Sequence, residues 1–214
     1  MWILASASPR RKELLAEILP EFKIIPSLAD ETVTEALSPE ALVKMLATRK
    51  AFEVANRPDN QGCFVLGSDT IVAYGDEVLG KPKDEADAFR MLKMLSGKKH
   101  QVYTGVCILT CKDGKVGYET KAAKTDVYFN ELTDEWIWTY IHSGSPMDKA
   151  GAYGIQDGGL VAKIKGSYSN VVGLPVELCK KMIKKNKQQK KRIQRVPAPV
   201  LLGKIGGNYD KTCN

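Results

Sequence analysis

Histidine is scarce in this chain. His100 and His142 are the only two among 214 residues, and neither lies in a metalloprotease motif. His100 follows a helix stop, which suggests a turn or sheet-edge role. There is no Gly-x-x-x-x-Gly-Lys-Ser/Thr loop, and no Gly-x-Gly-x-x-Gly opens a helix. The Gly-x-Ser-x-Gly elbow is missing too, so serine-hydrolase chemistry has no support. The five cysteines lack metal-finger spacing. Their odd number, with no secretory pattern at the N-terminus, predicts reduced thiols and a cytoplasmic protein. No apolar run approaches the length of a membrane span.

What is present suits a folded protein. Apolar residues make up 43% of the chain, and 214 residues suffice for one large domain or two small lobes. The net charge of +7 is unevenly spread. Residues 180–214 carry eleven Lys or Arg against one acid, while 1–179 hold 21 bases and 24 acids. The body is therefore mildly acidic, and the C-terminus supplies the basic character. We expect a folded unit over 1–183 and a basic, flexible tail over 184–214. Such runs are usually solvated, so nucleic acid is not the expected partner.

The opening stretch MWILASASPRRKELL reads as a buried strand, a polar loop and a helix start. Pro9 suits the first helical position, and Ser8 can cap the free amides. Ser6, Arg10 and Arg11 then gather around a helix N-terminus that already attracts anions. FKIIP (22–26) predicts a second strand. Ser38-Pro39 repeats the cap-and-proline start for a helix reaching about Asn56. Lys50 falls within that helix's apolar face, where it must snorkel out or meet an anion.

Cys63 to Leu66 predicts a buried strand ending at Gly67-Ser68-Asp69-Thr70. Asp69 just beyond such a strand would stand where open α/β sheets place ligands. Thr70 to Leu79 suggests a hairpin turning at Gly75-Asp76, leading to Gly80-Lys81-Pro82. Asp84 caps a helix through Leu95. Two strands, 102–109 and 116–129, flank an Asp113-Gly114 turn. A helix from Thr133 precedes the dense loop PMDKAGAYGIQDGG, a strand at 160–164 and a last helix from about Val176. Helices alternate with strands and hairpins, which supports an α/β or α+β fold around a mixed sheet.

Four features could converge: the arginine pair, the two lysines Lys50 and Lys81, Asp69, and the acidic pair Asp30 and Glu31. Cations neutralise phosphate oxygens, and carboxylates can hold a divalent metal or take a proton from water. The set suffices for phosphoanhydride hydrolysis.

Several stretches together resemble the Maf family of nucleoside triphosphate pyrophosphatases. They are SASPRRKELL, GSDTIV, GKP, LSGKKHQVYTGV, SGSPMDKAGAYGIQDGG and GSYSNVVGLP. The resemblance covers about residues 2–182. It implies an elongated α/β mixed-sheet fold, like that of inosine triphosphate pyrophosphatase, with helices on the flanks and a cleft between two lobes. It also implies hydrolysis of a nucleoside triphosphate to monophosphate and pyrophosphate, dependence on Mg or Mn, a homodimer and a cytoplasmic location.

By position, Asp69 matches the family's proton acceptor and a metal ligand, with Glu31 as the second acidic position. Ser6, Arg10, Arg11, Lys50 and Lys81 match the phosphate-facing set. Arg10, Thr70 and Gln156 match positions tied to substrate choice. GAYGIQ resembles the branch acting on dTTP and UTP, with modified pyrimidine nucleotides as a further substrate class. An amide at 156 can accept from N3–H and donate to O4 of either base. The alternative is a non-catalytic nucleotide- or nucleic-acid-binding protein that uses the cleft or the basic tail.

Overall fold

The computed structural model describes residues 1–188. A seven-stranded mixed sheet runs β2-β1-β3-β5-β6-β7, with β4 on the free edge of β3. The strands are β1 (Trp2–Leu4), β2 (Lys23–Ile24), β3 (Phe64–Tyr74), β4 (Glu77–Leu79), β5 (Lys99–Lys112), β6 (Lys115–Phe129) and β7 (Val161–Lys165). β1 lies parallel to β2 and β3, and all other pairings are antiparallel. The helices are α1 (Pro9–Ala16), α2 (Pro39–Ala55), α3 (Glu85–Leu95), α4 (Asp134–His142), α5 (Tyr168–Val172) and α6 (Val176–Gln188).

The local signals explain most of these elements. Ser8, Ser38, Asp84 and Thr133 each accept a backbone N–H with the side chain and so start a helix. Asp113 and Gly114 both have positive φ, the geometry that closes the long β5–β6 hairpin. β2 keeps only two paired residues, because both are exposed and little burial extends it. α6 continues through Gln188, beyond the boundary expected at 184; the rest of the tail lies outside the described residues. Cys63, Cys107, Cys111 and Cys179 are all buried.

Three apolar cores share the sheet. α2 packs Ala47, Ala51 and Val54 against Val65, Cys107 and Leu109. On the opposite face, α1 and α6 pack Leu15, Cys179 and Met182 against Leu66, Val106 and Ile108. Beyond them, α3 and α4 pack Leu92, Ile137 and Ile141 against Val72, Val102 and Val127. β3 thus threads all three cores. Its stretch from Gly67 to Ile71 lies between them, and there the cleft opens.

The strand does not end at Asp69. It runs unbroken to Tyr74, paired with β5 from Val65↔Leu109 to Ala73↔Gln101. What ends is its other neighbour: β1 pairs only as far as Leu4↔Leu66. Asp69 therefore lies beside a free strand edge, which leaves room for a ligand much as a strand end would. His100 also departs from expectation. It is fully buried in β5, its Nε2 is 2.8 Å from the Tyr153 hydroxyl, and its ring sits edge-on to Phe129 and Tyr153. Burial pushes its pKa down to about 4.

Candidate active site

Two glycines bring the acid and the base together. A Cβ on Gly67 would come within 2.3 Å of the Ala47 carbonyl oxygen, and one on Gly105 within 2.1 Å of that of Val43. Both are in ordinary strand conformation, so α2 lies with its backbone directly on β3 and β5 at these positions. That close approach carries Lys50 to Asp69. Lys50 Nζ is 2.6 Å from Asp69 Oδ1 and 3.0 Å from Glu31 Oε1. The lysine on the apolar face of α2 therefore meets anions rather than snorkelling away. Asp69 is largely sequestered, with 8% of its side chain exposed, while Glu31 is open at 60%.

The adjacent arginines are used differently. Arg11 Nε donates to the Gly173 carbonyl at 2.9 Å, Nη2 to Thr70 Oγ1 at 3.0 Å and Nη1 to Ser6 Oγ at 3.3 Å. Loss of hydration lowers its pKa, opposed by the nearby charges of Asp69 and Glu31. Thr70 Oγ1 lies 3.0 Å from Thr104 Oγ1, and Thr104 donates to the Asn170 carbonyl at 3.0 Å. Arg11 is thus tied into a chain of buried hydroxyls. Arg10 reaches across the cleft instead, with Nη1 3.0 Å from Asp148 Oδ2.

The far wall is made of turns. Gln156 is exposed within the short 3-10 turn Ile155–Asp157. Asp157 Oδ2 accepts from the Tyr140 and Ser145 hydroxyls, and the Gly154 amide donates to the Tyr140 oxygen. That brace holds the turn from below. Lys81, also exposed, follows β4 in GKP. Lys149 faces the same cleft and donates to the Ser145 carbonyl and to Asp148.

The nine residues matched to the family's site (Ser6, Arg10, Arg11, Glu31, Lys50, Asp69, Thr70, Lys81 and Gln156) line one cleft of about 750 Å³, whereas Asp30, the other half of the expected acidic pair, stays outside it and accepts from the Thr32 amide. That volume lies within the range of small-molecule sites. Sequence reasoning passed over Lys149 and the Gly173 carbonyl. Lys149 lay in the dense loop, where its residue type alone does not set it apart. A backbone carbonyl has no residue-type signal; only the GSYSNVVGLP stretch pointed that way.

No group of three or more His, Cys, Asp or Glu capable of holding a metal occurs among the described residues. Asp148 also faces the cleft but is paired with Arg10 and Lys149; Glu31 and Asp69 remain, with the Lys50 ammonium between them. That donor set does not suit zinc. It suits magnesium or manganese, which are commonly held by one or two carboxylates with substrate phosphates and water completing the shell.

A family model described as Maf-like protein matches residues 1–186. The "dTTP/UTP pyrophosphatase" of Agathobacter rectalis is 51% identical over 189 residues, covering 81% of this chain and 91% of that protein. The protein of the same name from Thermococcus kodakarensis is 50% identical over 184 residues, covering 85% and 95%. That of a Geobacillus species is 48% identical over 185 residues, covering 86% and 96%. Among solved structures, a Staphylococcus aureus Ham1 protein matches with a TM-score of 0.45 and 12% identity, over 86% of this chain and 98% of that one.

Proposed function

The chain belongs to the Maf family, and from that premise we propose that it hydrolyses dTTP and UTP to the nucleoside monophosphate and pyrophosphate. The observation that carries the mechanism is the Lys50–Asp69 pair at 2.6 Å, set beside Arg11 in a nucleotide-sized cleft. Three carboxylates, two arginines, three lysines and an amide side chain share that cleft, and among the described residues no cysteine lines it.

The triphosphate lies along the first loop, with Arg10, Arg11 and Lys81 neutralising its oxygens. Arginine forks suit this task because they bind phosphate bidentately. The Ser6 hydroxyl adds a hydrogen bond, and the α1 dipole favours the anion. Asp69 takes a proton from water, whose oxygen attacks the α-phosphorus. The bond from that phosphorus to the α–β bridging oxygen breaks, and pyrophosphate leaves with the electron pair. Lys50 orients the Asp69 carboxylate and can turn toward phosphate once the carboxylates gain another cation. Magnesium or manganese held by Glu31 and Asp69 would neutralise charge on the phosphates.

Gln156 reads the edge that uracil and thymine share, accepting from N3–H and donating to O4. Such a site rejects bases that leave its polar groups unpaired. Modified pyrimidine nucleotides keeping that edge fall in the same substrate class. The reading includes a homodimer and a cytoplasmic location, both supported by the family resemblance. No helix among the described residues is long and apolar enough to cross a membrane.

The test is a profile of pyrophosphate release across nucleoside triphosphates, with and without magnesium or manganese. UTP and dTTP should lead, and chelation should abolish turnover. Equal rates on ATP and GTP would remove Gln156 from base choice. Absence of pyrophosphate from every nucleotide would remove the activity.

A further inference from the structure

Glu31 arrives on a segment with little apolar anchoring. Between Pro20 and Leu42 no residue is fully buried, although Phe22 and Ile25 pack partly against the cores, and no regular structure spans Ile25 to Ser38. Beyond Ile25 burial does little to fix the loop, so polar contacts must. They come from α2 and the residue pair that follows it. Arg49 and Glu53, four residues apart, share a helix face, and Arg57, just past the end of α2, joins them by its 2.7 Å ion pair with Glu53. Arg57 donates to the Pro26 carbonyl at 3.1 Å. Glu53 accepts from the Ser27 hydroxyl and the Leu28 amide, each at 2.9 Å.

Arg49 completes the set at the acidic turn. Its Nη1 donates to the Thr32 carbonyl at 2.8 Å and to the Asp30 carbonyl at 3.3 Å. Those carbonyls flank Glu31. The turn is also closed on itself, with the Thr32 amide donating to Asp30 Oδ1 at 2.9 Å. Glu31 is thus the apex of a turn gripped on both sides by one guanidinium. Arg49 Nε is buried without a partner, so the group is held for its Nη contacts. The next residue along the helix is Lys50, which bonds Glu31 and Asp69. One helix therefore positions both halves of the acidic pair.

We propose that Arg49 is a positioning residue for the divalent-cation site, setting its affinity by gripping the turn that presents Glu31. The inference rests on the reading that Glu31 and Asp69 hold that cation. Outer contacts of this kind commonly change metal affinity by about 10–100-fold. Charge alone predicts the opposite sign, since removing a nearby positive charge should tighten cation binding.

The experiment titrates manganese into the nucleotide-free full chain and reads free ion by electron paramagnetic resonance. Arg49→Ala, Arg49→Lys and Glu31→Gln are compared with the parent protein, and half-saturating manganese in turnover is measured alongside. Arg49→Ala should weaken manganese binding by about tenfold, with turnover at saturating manganese within about twofold. Arg49→Lys, which keeps charge but not the fork, should fall between, and it serves if the alanine variant does not fold. A role in stability alone would lower the melting temperature without moving the manganese affinity. If both Arg49 variants bind manganese as tightly as the parent while Glu31→Gln does not, the positioning role is overturned and the site survives. If Glu31→Gln also binds as tightly, the cation site and the inference both fall.

Discussion

Asp69, Lys50 and Arg11 stand on a strand and two helices, whereas Gln156, Lys149 and Lys81 stand on turns. The first wall is fixed by close packing: α2 rests its backbone on Gly67 and Gly105, and Arg11 is tied to Gly173, Thr70 and Ser6. The second wall is held by a few side-chain bonds, chiefly those of Asp157 to Tyr140 and Ser145. In the proposed mechanism, chemistry that tolerates little displacement thus sits on regular elements, and recognition of the base sits on loops, which can change without disturbing the core.

The sharpest way to break that contrast is at Asp69. Asp69→Asn should lower turnover on the order of 10³-fold and leave the melting temperature nearly unchanged, as seen in steady-state kinetics and thermal unfolding. Near-normal turnover would remove Asp69 from the chemistry. Next in size is Gly105→Ala, whose Cβ meets the Val43 carbonyl at 2.1 Å. It should cost about 3 kcal/mol of stability by denaturant titration and lower turnover by displacing Lys50.

His100 tests the core behind the second wall. Its folded pKa of about 4 lies below the ordinary 6.5, so the unfolded chain binds the extra proton first. Stability should therefore be flat above pH 6.5 and fall as pH drops toward 4, by about 3 kcal/mol in all. His100→Gln should flatten that slope in urea titrations run across the window. Gln156→Ala should lower kcat/KM for UTP by about 30-fold, within the range for a lost polar contact to a base. It should leave stability unchanged. Smallest is Thr104→Val, which removes the hydroxyl between Thr70 and Asn170. It should cost about 1 kcal/mol and modestly raise KM by loosening Arg11.

Residues whose signal is local were legible in the sequence. The Ser8-Pro9 and Ser38-Pro39 starts, the Asp113-Gly114 turn and the helix after Asp84 follow from capping and turn chemistry within a few positions. The family motifs contain seven of the nine matched residues, Glu31 and Lys50 being matched by position outside them, and the structure brings all nine to one cleft. Features decided by distant contacts were not legible. Gly67 looks like a strand terminator, and only the backbone of α2 pressing on it shows it as a packing glycine. His100 looks like a turn residue until Phe129 and Tyr153 close around it. Whether Lys50 turned inward depended on Asp69, which no helical pattern contains. α5 is too short to carry a periodic signal, and Arg49's partners are backbone carbonyls.

The central claim is that water directed by Asp69 attacks the α-phosphorus of a pyrimidine nucleoside triphosphate. Hydrolysis of UTP in ¹⁸O-labelled water, with both products weighed by mass spectrometry, tests it most directly. Attack at the α-phosphorus puts one heavy oxygen in the monophosphate and none in the pyrophosphate. Label in the pyrophosphate, or release of inorganic phosphate in its place, would contradict it.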